Sequence, residues 1–296
     1  MPIENFIIEV YCAVCESLTQ VIGGIRLRSR GFAPGLTDAE VLTMEFVGAY
    51  LGQAHDKGIW RYFSHHWREW FPKLGSRSNF VRQAANLWRI KDRLHQYWVA
   101  CLGAQNSSVY LVDGFPIPVC HFRRAHFSTL FEGQAEYGYC ASKDMTYYGF
   151  KGMLLTNDEG IIIEIAWVPA NVDERDALDE FDWQGVMGML LGDKGFIRPE
   201  LQQRLAEQAI HLQTPKRSNM KETRSKKFLC WMKAQRRLVE TVIGQLTERF
   251  SIQNNRARDL WHLASRIYRK VAAHTLCIWL RRNTNQPLAL EKLMAA

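Results

Sequence analysis

Three acids in the 296-residue chain stand where carboxylates can do chemistry. Asp113 closes the apolar run "VYLVD" and Asp193 closes "VMGMLLGD". Each sits at the C-terminal end of an expected short strand, and each is followed by residues that turn the chain. In an open α/β sheet, ligands gather outside those ends. If the two strands are neighbours, their ends lie about 5 Å apart. At an effective dielectric near 20, two bare carboxylates there would repel by about 3 kcal/mol. Lys194 is adjacent, but neighbours along a strand point to opposite faces. A hard divalent cation such as Mg²⁺ is the better neutraliser, because it takes one or two carboxylates together with phosphate oxygens. Holding two ions at the roughly 3.5–4 Å used for phosphoryl displacement calls for a third acid. Glu240 fits, mid-helix in "AQRRLVETVIGQLTERF". Arg236, Arg237, Ile243, Gly244 and Thr247 share its helical face, whereas Val239, Val242 and Leu246 face the core. Taken singly, an Asp at a strand end caps a turn and a helical Glu is a surface charge. The ordered set strand-Asp, strand-Asp, helix-Glu carries the reading. Lys143, Lys151, Lys216, Arg217, Arg236 and Arg237 are expected phosphate contacts, with plain surface charge as the alternative for each.

The elements that must position these acids change character along the chain. Residues 1–105 read as helical, with a capping box at Thr37 and Glu40 and a cap at Ser76 or Ser78 opening a helix that runs to about residue 98. Arg82, Arg89, Lys91 and Arg93 on that helix suit a phosphate backbone or, equally, a solvated basic face. From residue 106, β-branched and aromatic residues predict strands at 109–112, about 117–122, 147–155, 161–168, 186–191 and 210–215. Helices are expected at about 173–183, from Pro199, at 228–250 and at 258–282. Alternating strand and helix implies a partly parallel sheet in an α/β fold. The expected organisation is therefore 1–105 helical, 106–285 catalytic and 286–296 a tail.

Composition narrows the classes. The formal net charge is +8 and the pI near 9.2, which predisposes the chain toward polyanions. No run of apolar residues reaches the roughly 18 of an uninterrupted membrane span, and Glu4, Glu9 and Glu16 give the start of the chain no signal-peptide pattern. An intracellular protein with no membrane partner is expected. The seven cysteines are odd in number and scattered, which argues against a disulfide framework. Cys12 and Cys15 form one CxxC pair without a partner pair, so helix packing outweighs zinc. There is no GK[ST], HExxH, GxSxG or GxGxxG motif.

Five ordered stretches, "LVDGFPIPVC", "GYCASKDMTYYGFKGMLL", "LGDKGF", "TPKRSNMK" and "RRLVETVIGQL", resemble the IS982 family of bacterial insertion-sequence transposases, within the DDE transposases. The resemblance spans roughly 107–283. It implies a ribonuclease H-like α/β fold, a mixed sheet flanked by helices, preceded by an all-α region that recognises terminal inverted repeats. It also implies that Asp113, Asp193 and Glu240 form a metal-binding catalytic triad, served by two Mg²⁺ ions with Mn²⁺ able to substitute. Arg236 matches the pattern around the Glu, but Lys233 stands where that pattern has Tyr and Thr247 where it has Lys. Those departures bear on the grip on the transposon end, not on the triad. The implied partners are double-stranded DNA, as terminal repeats and as target, and further copies of the chain in a dimeric or larger synaptic complex. The implied location is the bacterial cytoplasm, at the nucleoid. Two rival functions are a nuclease of the same fold that cuts without joining, and a non-catalytic DNA-binding regulator.

Overall fold

The computed structural model describes residues 1–25, 27–28 and 32–283; the expected tail at 286–296 lies outside them. Two compact units emerge, one made of Met1–Trp98 with the described residues of Leu246–Ala296, the other of Val99–Gln245.

The first unit is helical. It holds α1 (Ile3–Ile22), α2 (Asp38–Tyr50), α3 (Asp56–His66), α4 (Arg77–Asn86) and most of α5 (Trp88–Cys101). The Thr37–Glu40 capping box forms, and Ser76 caps α4 by accepting from the Asn79 amide. By length and composition α1 could cross a membrane. It instead buries one stripe, Phe6, Ile7, Val10, Ala13, Val14, Ser17 and Val21, and packs against α2. The single helix expected from Ser76 to about residue 98 is broken at Leu87 into α4 and α5. Lys91 on α5 is fully buried, so it belongs to no phosphate-facing surface. Its ammonium donates to Glu45 of α2 at 2.7 Å and to the Ser265 hydroxyl at 2.8 Å. Arg93 is exposed, and its guanidinium donates to the Val21 carbonyl.

The second unit is a six-stranded mixed sheet. Its strands are β1 (Val109–Pro118), β2 (Glu136–Cys140), β3 (Met145–Asn157), β4 (Ile162–Pro169), β5 (Gly188–Leu191) and β6 (Ile210–Gln213). Between them lie the short α6 (Phe122–Ala125) and α7 (Glu174–Ala177), then α8 (Pro199–Glu207). The long α9 (Lys226–Glu248) follows β6, and α10 (Leu260–Asn283) closes the described chain within the helical unit. β3 pairs antiparallel with β1, β2 and β4, while β5 pairs parallel with β1 and β6. The order β4-β3-β1-β5-β6, three antiparallel strands continued by two parallel ones, is the ribonuclease H-like mixed sheet that the resemblance implies.

Three local expectations change. The strands expected at 109–112 and 117–122 are one, because β3 pairs with β1 from Tyr110↔Asn157 through Pro118↔Gly149. The helix expected over 173–183 shortens to α7 and a 3₁₀ turn, Leu178–Glu180. β2 was not expected at all; its Tyr-Gly-Tyr run lacks the apolar alternation of a half-buried strand. The sheet's interior is aliphatic, with Leu111, Val112, Leu154, Leu155, Leu190 and Leu191 at 1% exposure or less. Burying each such side chain contributes on the order of 2 kcal/mol, which holds β1 and β5 rigidly side by side.

Candidate active site

β1 and β5 run parallel with Val109↔Met189, Tyr110↔Leu190 and Leu111↔Leu191 in register. Two residues beyond the last pair, on both strands, comes an aspartate. Asp113 remains within β1, where it faces Leu154 of β3. Asp193 lies just past the end of β5, with extended backbone, and caps a 3₁₀ turn, Lys194–Phe196, by accepting from the Lys194 amide at 2.6 Å. Asp113 accepts from the Gly114 amide at 2.8 Å. Gly192 is needed between strand and acid, since a Cβ there would come within 2.9 Å of the Phe196 ring.

The two carboxylates differ electrostatically. Burial, reinforced by the negative charges of Glu174 and Asp193, pushes the Asp113 carboxyl up to about 6, against the pull of the Gly114 amide and Arg236. Asp193 is half-exposed and pairs with the Arg236 guanidinium at 3.3 Å. Arg236 thus docks α9 against the acids. Buried Val239 and Val242 belong to the same helix, and Val242 with Leu238 lies against Gly160 at the turn between β3 and β4.

Glu174 was missed in the sequence reading. It opens α7, and its carboxylate lies between the glycines that follow the two aspartates. A Cβ on Gly114 would be 3.1 Å from its Oε1, and one on Gly195 3.0 Å from its Oε2. Burial, opposed by Lys151, raises its carboxyl above the ordinary range. The available signal was an acid immediately after the turn that follows β4, a strand two places from β1.

The structure thus brings Asp113, Asp193 and Arg236 together. Glu240 lies one turn further along α9, about 6 Å along the helix axis, and is exposed. Among the described residues no three His, Cys, Asp or Glu side chains gather closely enough to hold an ion as they stand. The aspartate pair itself offers the hard oxygen donors that a divalent cation takes, one of them held above the ordinary range by burial, and so fits one chemically. The cations are dispersed in role. Lys151 donates to the Val172 carbonyl at 2.5 Å and lines a cleft that Arg217 also reaches. Lys216 donates to the Lys221 carbonyl at 2.5 Å. Lys143 and Arg237 are exposed.

Comparison with known proteins adds two findings. A family model described as "Transposase DDE domain" matches residues 103–260, just over half of the chain. A cryo-EM structure of the piggyBac transposase synaptic complex with hairpin DNA is similar at 10% identity, covering 97% of this chain and 82% of that one, with a TM-score of 0.44. A search of curated proteins finds no match.

Proposed function

The chain belongs to the transposase DDE-domain family and is a DNA transposase, and we propose that it is an insertion-sequence enzyme of the IS982 type that cleaves transposon ends and transfers them into target DNA. Asp113, Asp193 and Glu240 are its catalytic acids in this reading. The observation that carries it is the matched register of the two aspartates on adjacent parallel strands, with Arg236 of α9 paired to one of them.

Asp113 and Asp193 would hold divalent cations, Mg²⁺ with Mn²⁺ as substitute, and Glu240 would join them from α9. Bound there, such ions supply activation of the attacking water and stabilisation of the departing 3′ oxygen. The remaining tasks fall to protein side chains and are mainly positional. Arg236 is placed to exchange its hold on Asp193 for a phosphate oxygen as DNA arrives. Lys143, Lys151, Lys216, Arg217 and Arg237 serve the flanking backbone. The freed 3′ hydroxyl then attacks target DNA in the same site. Residues 1–105 are the end-recognition region and 106–285 the catalytic domain, acting in a dimeric or larger complex in the bacterial cytoplasm.

The test is incubation of the purified protein with labelled candidate terminal repeats and Mg²⁺, scoring nicking and joining separately. Metal-dependent nicking followed by joining is expected. Nicking without joining would make the chain a nuclease, and chelator-insensitive binding with neither reaction a regulator.

A further inference from the structure

Helix α4 stands as a ridge between two clefts of the helical unit, one of about 530 Å³ and one of about 390 Å³, and its Arg82 and Asn86 line both. At 3.6 residues per turn, Ser78, Asn79, Arg82 and Asn86 fall within about 100° of the helix circumference, and all four are exposed. Phe80 and Gln83 fall on one flank of that arc and line the larger cleft, whereas Val81 and Ala85 fall on the other and line the smaller. Lys73, exposed shortly before α4, borders the larger cleft, and exposed Arg77 borders the smaller, which Trp261 of α10 walls. Arg28 also lines the larger cleft but is already paired with Asp38. Among the described residues no acid lines either cleft, and α4 itself carries none. The ridge is held from behind. Phe80 and Ala84 are buried, Gln83 donates to the Leu36 carbonyl at 3.0 Å and to Asp38 at 2.9 Å, and the Trp60 indole donates to the Gly75 carbonyl at 3.1 Å. Trp261 is half exposed yet braced, edge-to-face with Trp88 at 5.7 Å between centroids, and Trp88 stacks on Tyr268.

Resting on the transposase reading, we propose that α4 enters the major groove of duplex DNA at the transposon end and reads bases there, with the two sugar-phosphate backbones seated in the flanking clefts. The dimensions match, since an α-helix about 10–12 Å across fills a major groove about 12 Å wide. The ten residues of α4 span about 15 Å, or roughly four base pairs at about 3.4 Å each. Arg82 has the fork that pairs with O6 and N7 of guanine, and Asn79 and Asn86 have the amides that pair with adenine. Lys73 and Arg77 border the clefts where the backbones pass, and supply charge without reading sequence.

The test uses the full chain in EDTA and a pool of random-sequence DNA duplexes, from which bound molecules are selected and sequenced. The wild type is expected to enrich a motif. Arg82→Ala and Asn86→Ala are each expected to lose preference at about one position of it and to bind the enriched duplex about tenfold more weakly. Lys73→Gln and Arg77→Gln are expected to keep the motif, to weaken binding to all duplexes alike and to lower the slope of log affinity against log salt by about one. Circular dichroism checks folding; if Arg82→Ala unfolds, Arg82→Lys, which keeps the charge and loses the fork, replaces it and is expected to lose the same preference. No enriched motif from the wild type, or the wild-type motif at wild-type affinity from folded Arg82 and Asn86 variants, overturns the inference. Metal-dependent nicking and joining of end duplex is scored in parallel. Nicking with a motif indifferent to the α4 substitutions sinks the ridge alone, and an α4-dependent motif without nicking sinks the catalytic reading alone.

Discussion

Asp113 and Asp193 occupy the same level of two adjacent parallel strands, two residues past the Leu111↔Leu191 pair, yet one is an elevated acid and the other is tied to Arg236. The difference follows from the sheet. β1 continues past Asp113 because β3 pairs with it on the far side, whereas β5 ends before Asp193. One acid is therefore enclosed and the other open to solvent and to α9.

The enclosed acid makes metal-free stability depend on pH. Its folded carboxyl titrates near 6, above the roughly 3.9 of an unfolded chain. Folding thus favours the protonated form; that contribution is complete below about pH 4 and is lost as pH rises through 6. Asp113→Asn should be more stable than wild type by about 1–2 kcal/mol at pH 7.5 and equal to it at pH 4. Urea unfolding in EDTA at both pH values checks this.

Divalent metal should reverse that penalty. Saturating Mn²⁺, at about a hundred times its Kd, is expected to stabilise the wild type by about 2.7 kcal/mol. Asp193→Ala should abolish most of the gain, as thermal unfolding with and without metal would show. An undiminished gain in that variant would place the ion elsewhere.

Glu240 is exposed, so Glu240→Gln should change stability by no more than about 0.5 kcal/mol. End cleavage should nonetheless be abolished while DNA binding persists. Cleavage at the wild-type rate would remove Glu240 from the catalytic set and turn attention to Glu174.

The buried ionic cluster of the helical unit should behave oppositely. Lys91 and Glu45 are both fully buried, with Arg269 of α10 at 3.5 Å from Glu45 and 2.5 Å from Asp56. Lys91→Met leaves a buried carboxylate short of a partner and should cost about 3–5 kcal/mol. Adding Glu45→Leu should recover much of that in urea unfolding.

At the start of β5, Gly188 has φ of 111° and a Cβ there would meet the Ser108 carbonyl at 2.5 Å. Gly188→Ala should cost about 1–3 kcal/mol and reduce cleavage, since β5 carries Asp193. Amide exchange at Leu190 and Leu191 reports the loosening.

Much of this molecule was legible in its residues before any fold was known. The capping box at Thr37 is a local contract between side chain and backbone, and the apolar run before Asp193 reads as a strand over 186–191 that forms over Gly188–Leu191, so short-range physics goes far for both. The ordered acids and their flanking motifs pointed to the DDE transposases by the same local means. What the residues alone could not decide depends on partners far along the chain. Lys91 reads as a DNA-facing or solvated cation until Glu45 and Ser265, 46 and 174 positions away, enclose it. Glu174 looks like an ordinary turn residue, because only the fold brings the segment after β4 against the glycines that follow Asp113 and Asp193. Local propensity is a property of neighbours in sequence, whereas charge compensation and enclosure are properties of neighbours in space, and those exist only once the chain has folded.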